Sequence, residues 1–156
     1  MKWLTRLPLF VAVGTVACGG GADDRHVFER AQETFSHVRT LRVHVLVNAH
    51  MPIERTVTVP ASAVPLQRLH VTRWLKHPRR YDCDPGLECA RADLDVESAA
   101  RELEPVLPKL PFDPGSVDAA KLEISIGKDD GVLRRARLQG DLLGLQFEAD
   151  LTATPK

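Results

Sequence analysis

Leu143-Gly144-Leu145-Gln146-Phe147-Glu148-Ala149-Asp150-Leu151-Thr152 decides the fold class. Leu143, Leu145, Phe147, Ala149 and Leu151 alternate with Gly144, Gln146, Glu148, Asp150 and Thr152. Successive side chains of a strand leave opposite sides of a sheet, so this period of two describes one dry face and one wet face. Upstream, Leu122, Ile124 and Ile126 alternate in the same way up to the turn Gly127-Lys128-Asp129-Asp130-Gly131. Val132 to Leu138 answers with Arg134, Arg135 and Arg137 among apolar residues, and Gly140-Asp141 reads as the next turn. The three segments are expected to form an antiparallel meander with one face in the core. The arginines fall opposite Glu148 and Asp150 on the next strand, as expected of a solvated ion-paired face.

Toward the N-terminus the period changes. Val27, Phe28, Ala31, Phe35 and Val38 recur at spacings of three and four, so Asp24 to about Thr40 is expected to be a helix, with Asp23 or Asp24 as its cap. Leu41, Val43, Val45, Val47 and Ala49 then alternate as a strand, and Ile53 to Val59 returns beyond the Pro52 turn. Leu66 to Trp74 is expected to be a third strand, with Arg79 to Cys83 pairing next. Asp93 or Asp95 is expected to cap a second helix through Val96, Ala99, Ala100, Leu103 and Val106, followed by a loop from Pro108 to Gly115. The expected architecture is α+β: a curved antiparallel β-sheet, or half-barrel, packed against one or two helices.

The first seventeen residues read as an export leader. Lys2 and Arg6 precede the apolar run Leu7 to Ala17, about eleven residues, too short for a bilayer core that needs about twenty. Thr15-Val16-Ala17-Cys18 resembles the lipobox of bacterial lipoproteins, in which the cysteine receives diacylglycerol, palmitate being a typical acyl chain; Thr15 stands where leucine is usual. The resemblance implies cleavage before Cys18, with residues 18–24 as lipidated cysteine and glycine-rich tether and 25–156 as a single domain. Without Lys2 and Arg6, nineteen basic residues face twenty-one acidic ones. No basic stripe points to nucleic acid.

In an exported chain, Cys83 and Cys89 are expected to form a disulfide across the Pro85-Gly86 turn. A zinc site from His77, Cys83 and Cys89 lacks a fourth ligand and a standard spacing. His44 and His50 stand about 20 Å apart along one strand and cannot share a metal. Asp82, Asp84 and Glu88 lack the acid ladder of a calcium loop. No metalloprotease, nucleophile-elbow or phosphate-loop motif occurs, so no enzyme, catalytic residue, metal or cofactor is expected.

The stretch Phe28-Glu29-Arg30-Ala31-Gln32-Glu33-Thr34-Phe35-Ser36-His37-Val38-Arg39-Thr40-Leu41-Arg42-Val43 runs from an amphipathic helix straight into a long hairpin. With the lipobox, the turn Asp129 to Arg135 and the strand Phe147 to Thr152, this order is similar to the LolA-like superfamily of lipoprotein carriers, in its lipid-anchored LppX/LprG-type branch. The resemblance implies a curved antiparallel sheet wrapped around helices, with acyl chains held between them. The function it implies is that of a membrane-anchored, extracytoplasmic cell-envelope lipoprotein binding an apolar ligand, a lipid or acyl chain, in a carrier or transfer role. Phe28, Ala31, Phe35, Val43, Val45, Leu103, Leu145 and Phe147 are the expected lining. The alternative is a non-enzymatic interaction or sensor lipoprotein of the same fold that binds an envelope protein partner.

Overall fold

The computed structural model describes residues 24–64, 66–103 and 117–156, without the side chains of Leu103 and Leu142. The leader, Cys18, most of the tether and the segment carrying Val106 and Pro108 to Gly115 lie outside the described residues.

Seven strands form one open antiparallel sheet: β1 (Val38–Asn48), β2 (Ile53–Pro60), β3 (Leu75–Tyr81), β4 (Leu87–Leu94), β5 (Val117–Gly127), β6 (Leu133–Leu142) and β7 (Leu145–Pro155). Their order is β2-β1-β7-β6-β5-β4-β3, so β2 and β3 are free edges and the sheet does not close into a barrel. Two helices, α1 (Arg25–Glu33) and α2 (Val96–Leu103), complete the α+β fold. No described helix is long and apolar enough to cross a membrane.

The meander forms as its alternation requires. Ile124 pairs with Ala136, Ala136 with Leu151 and Leu151 with Val43, and Leu122, Leu138, Ala149 and Val45 make the next row. On the other face Arg137 stands opposite Asp150, and Arg135 reaches the same carboxylate at 2.8 Å. The second turn lies beyond its expected place. Gly140 and Asp141 continue β6, and the chain reverses at Leu143-Gly144, both at positive φ (51° and 79°). Gly140 is needed for another reason. A Cβ there would stand 2.5 Å from Ala119 O and 2.8 Å from the Phe147 ring, which packs across the gap left by the missing side chain.

Four other expectations are corrected. The first helix ends at Glu33 rather than near Thr40. Thr34 N donates to Arg30 O (3.0 Å), and the Thr34 hydroxyl lies 2.7 Å from Arg30 O and 2.9 Å from Gly131 O. A single 3-10 turn, Phe35–His37, then swings Phe35 into the core before β1 begins. Thr34, Phe35, Val38 and Thr40 are all weaker helix formers than the Arg30-Ala31-Gln32-Glu33 run before them. Asp24 precedes α1 without capping it; its carboxylate accepts the Arg80 N–H of edge strand β3 at 3.0 Å.

Leu66 to Trp74 forms 3-10 turns instead of a strand. The Gln32 amide, on α1, donates to Leu66 O (2.8 Å) and Leu69 O (2.6 Å), satisfying carbonyls that a ladder would otherwise have used. The expected Arg79–Cys83 strand begins earlier, at Leu75, and pairs with β4, a strand whose inward positions Ala90 and Ala92 carry small side chains rather than β-branched ones. The second helix starts as expected, with Ser98 N donating to Asp95 Oδ1 at 3.2 Å.

Candidate functional site

Among the described residues, the apolar face of the sheet is covered at one end and more exposed at the other. Val27, Phe28 and Ala31 of α1 lie in one cluster with Leu41, Ala90, Ala92, Ile124, Ile126 and Ala153, all nearly sealed from solvent. Phe28 and Ala31 are therefore core residues. Val43 and Val45 lie further along β1 on the same face and are half-buried, as is Phe147. Leu145 is 40% exposed beside the β6–β7 turn, and the side chain of Leu103 lies outside the described residues. Val43, Val45, Leu145 and Phe147 thus share one sheet face, and Phe28, Ala31 and Phe35 pack over its covered end, without these residues surrounding one cavity.

A cleft of about 660 Å³ opens where the Phe35–His37 turn, the start of β1, the Ala61–Ala63 turn, the Leu66–Arg68 turn and the end of β7 converge. That volume lies within the range of small-molecule sites, roughly 300–1,000 Å³. Phe35, Val38, Ala61 and Val64 give it an apolar wall, and Ser36, Ser62 and Gln67 add polar groups. Arg39, Arg68 and Lys156 complete the described lining. The site is held from both sides. Gln32 fixes the Leu66–Leu69 turns from α1, and Lys156 N donates to His37 O at 2.8 Å, tying the end of β7 to the turn that carries Phe35. Of the expected lining residues, Phe35 alone is among the described residues of this cleft. Ser36, Ala61, Ser62, Val64, Gln67 and Arg68 escaped the sequence reading because they lie in or beside short turns with no period, and Val38, Arg39 and Lys156 because nothing local joins strand ends to those turns. The prolines at 60 and 65 that bracket Ala61 to Val64 were the available sign.

Two other hollows are smaller. One of about 280 Å³ at the far end of the sheet sets Phe147, Ala119 and Ala120 among Asn48, Lys121, Gln139, Asp141 and Glu148, so that, unlike the larger cleft, it carries acidic side chains. One of about 210 Å³ lies by Tyr81, Glu123, Arg135 and Arg137 on the charged face. Its arginines are already engaged: burial acts to raise the Asp150 pKa, but hydrogen bonds and charge from Arg135 and Arg137 outweigh it and hold the carboxylate below its ordinary value. Burial, with Glu123 adding to it, raises the Tyr81 phenol above its ordinary value.

Glu102 on α2 is the other organised polar group. Its carboxylate accepts from His70 N (2.6 Å) and Trp74 Nε1 (2.7 Å), and Oε1 lies 2.9 Å from His70 Nδ1. The His70 N–H is the largest cause holding its pKa below the ordinary value. These contacts pin α2 to the Val71–Trp74 turn. Cys83 and Cys89 are joined as a disulfide with Cα atoms 6.2 Å apart, closing the β3–β4 hairpin away from the cleft. Among the described residues no three His, Cys, Asp or Glu side chains gather as a metal site.

No family model matches the sequence, and no curated protein aligns with it. Solved structures do. That of LprF from Mycobacterium bovis is 12% identical, with a TM-score of 0.51 over 86% of this chain and 93% of that one. That of the Mycobacterium tuberculosis lipoprotein LppX is 11% identical, with a TM-score of 0.44 over 83% and 92%. The likeness to LprF is one of fold.

Proposed function

We propose that the chain is an exported lipoprotein, anchored through lipid on Cys18 and placed outside the cytoplasm, that binds a lipid or acyl chain where the helical turns meet the sheet. Its role is non-enzymatic: to hold the apolar ligand for carriage or transfer. The cleft of about 660 Å³ walled by Phe35, Val38, Ala61 and Val64 is the observation that carries this reading. The likeness of fold to LprF supports it. The notional anchor and the cleft serve one task, since a tether keeps a lipid binder at the surface from which its ligand comes.

Native mass spectrometry of protein purified from its own membrane tests both halves. The expected species begins at Cys18, carries the mass of an acylated cysteine, and holds one noncovalent lipid. Cys18→Ser should leave the leader uncleaved and abolish lipidation. A Cys18→Ser chain still processed at that residue and still sedimenting with membranes contradicts the anchor.

One observation favours the protein-binding alternative. Edge strand β2 leaves Ile53 57% and Val57 53% exposed, and an unpaired edge is a template for a partner strand. Recovery of one stoichiometric protein partner with no lipid would establish that reading instead.

A further inference from the structure

We infer that the ligand of the cleft is an anionic amphiphile, a single apolar chain bearing a phosphate or other acidic headgroup, and that Arg39, Arg68 and Lys156 select it. This rests on the lipid-binding reading above and adds the headgroup charge. Three cationic side chains line one cleft, and no acidic side chain stands among its described lining residues. Arg30 pairs with Glu88 at 3.3 Å, Arg134 with Asp130 at 2.7 Å, and Arg135 with Asp150 at 2.8 Å, whereas Arg42, Arg55, Arg73 and Arg79 stand singly on the surface without a carboxylate among the described residues; the cleft differs in gathering three such cations at one hollow. Among the described residues no carboxylate lies within ion-pairing distance of the Arg39, Arg68 or Lys156 side chains, so their charge is available to a ligand.

The cleft's composition divides a ligand in two. Phe35, Val38, Ala61 and Val64 lie along its apolar side; the first three are seated in the core and expose little surface, so half-buried Val64 offers the most accessible of these contacts. The arginines, the lysine, Ser36 and Ser62 supply the donors an oxyanion accepts from, and guanidinium groups match phosphate oxygens bidentately. A neutral chain would leave the cations without partners, and a bare phosphate would leave the apolar wall wet.

The test compares lysophosphatidylglycerol with the uncharged, phosphate-free monoacylglycerol of the same chain length, and both with inorganic phosphate, titrated into the full chain at low and physiological salt. Three exposed charge contacts correspond to about a tenfold preference for the anionic lipid, decreasing with salt. In Arg39→Gln/Arg68→Gln that preference should fall to about twofold or less while monoacylglycerol binding is unchanged. Both arginines are exposed, and an unaltered circular dichroism spectrum and melting curve would show that the fold survives. Equal affinity of the wild type for the two lipids overturns the headgroup inference and leaves the lipid-binding reading standing. A preference that persists in the double variant also overturns the assignment. Phosphate binding as tight as the anionic lipid would make this an anion site and overturn the amphiphile. Binding of no lipid at all overturns the proposed function itself.

Discussion

The two ends of the sheet follow the same alternating code and come out differently. Near the start of β1, Leu41 is 2% exposed, and Ile126 on β5 is sealed completely. Near the other end, Ile53 is 57%, Leu143 76% and Leu145 40% exposed, with Met51 at 79% in the β1–β2 turn. Alternation decides which face a side chain takes; what lies over that face decides whether it is dry. The nine residues of α1 reach about 14 Å, whereas the eleven of β1 reach about 36 Å, so one such helix cannot cover the face. The short turns after β2 extend the cover at the closed end, and the cleft lies in the seam between them and the sheet.

The contrast can be broken most forcefully at Ile126. Ile126→Ala leaves a cavity in the sealed cluster, and urea unfolding should show a loss of about 2–5 kcal/mol. A loss under about 1 kcal/mol would mean that the closed end is not the stable core. Next in size is the Cys83–Cys89 bridge, which closes a short loop at the same end of the sheet. Reduction should cost about 2.4 kcal/mol or less on the chain-entropy view. Alkylation before and after reductant, read by mass, should show two protected thiols, and lipid binding should survive because the hairpin does not line the cleft.

Asp150 comes third. Its folded pKa lies below the unfolded value, so its stabilisation is present above about pH 4 and is lost as the pH falls through the folded value. Asp150→Asn should therefore cost about 1 kcal/mol at neutral pH and nearly nothing in strong acid, as read from melting curves across pH. A cost independent of pH would mean that Arg135 and Arg137 are not held through its charge. The smallest effect belongs to the open end. Ile53→Ser should change stability by less than about 0.5 kcal/mol, and a cost near that of Ile126→Ala would show that something covers β2.

What the sequence made legible follows the same division. The meander, the β1–β2 hairpin and the Asp95 cap were readable because each depends on local period or a local side-chain bond. The Leu66–Trp74 stretch was not, because its carbonyls are satisfied by Gln32, more than thirty positions away. β4 was hidden by alanines that pack inward without a β-branched signature. Phe35 was picked out as lining by its place on an apolar stripe. Arg39, Arg68 and Lys156 could not be grouped with it, since three separate segments bring them together.

On the proposed reading, the ligand occupies the cleft at the covered end rather than the more exposed apolar face at the other. A photoactivatable fatty-acid analogue, crosslinked to the full chain and mapped by peptide mass spectrometry, tests it most directly. Adducts are expected on Phe35, Ser36, Val38 and Arg39 and on Ala61, Ser62, Val64, Gln67 and Arg68, which line the cleft. Adducts concentrated on Met51, Ile53, Val57 and Leu145, or spread over the charged face, would contradict it.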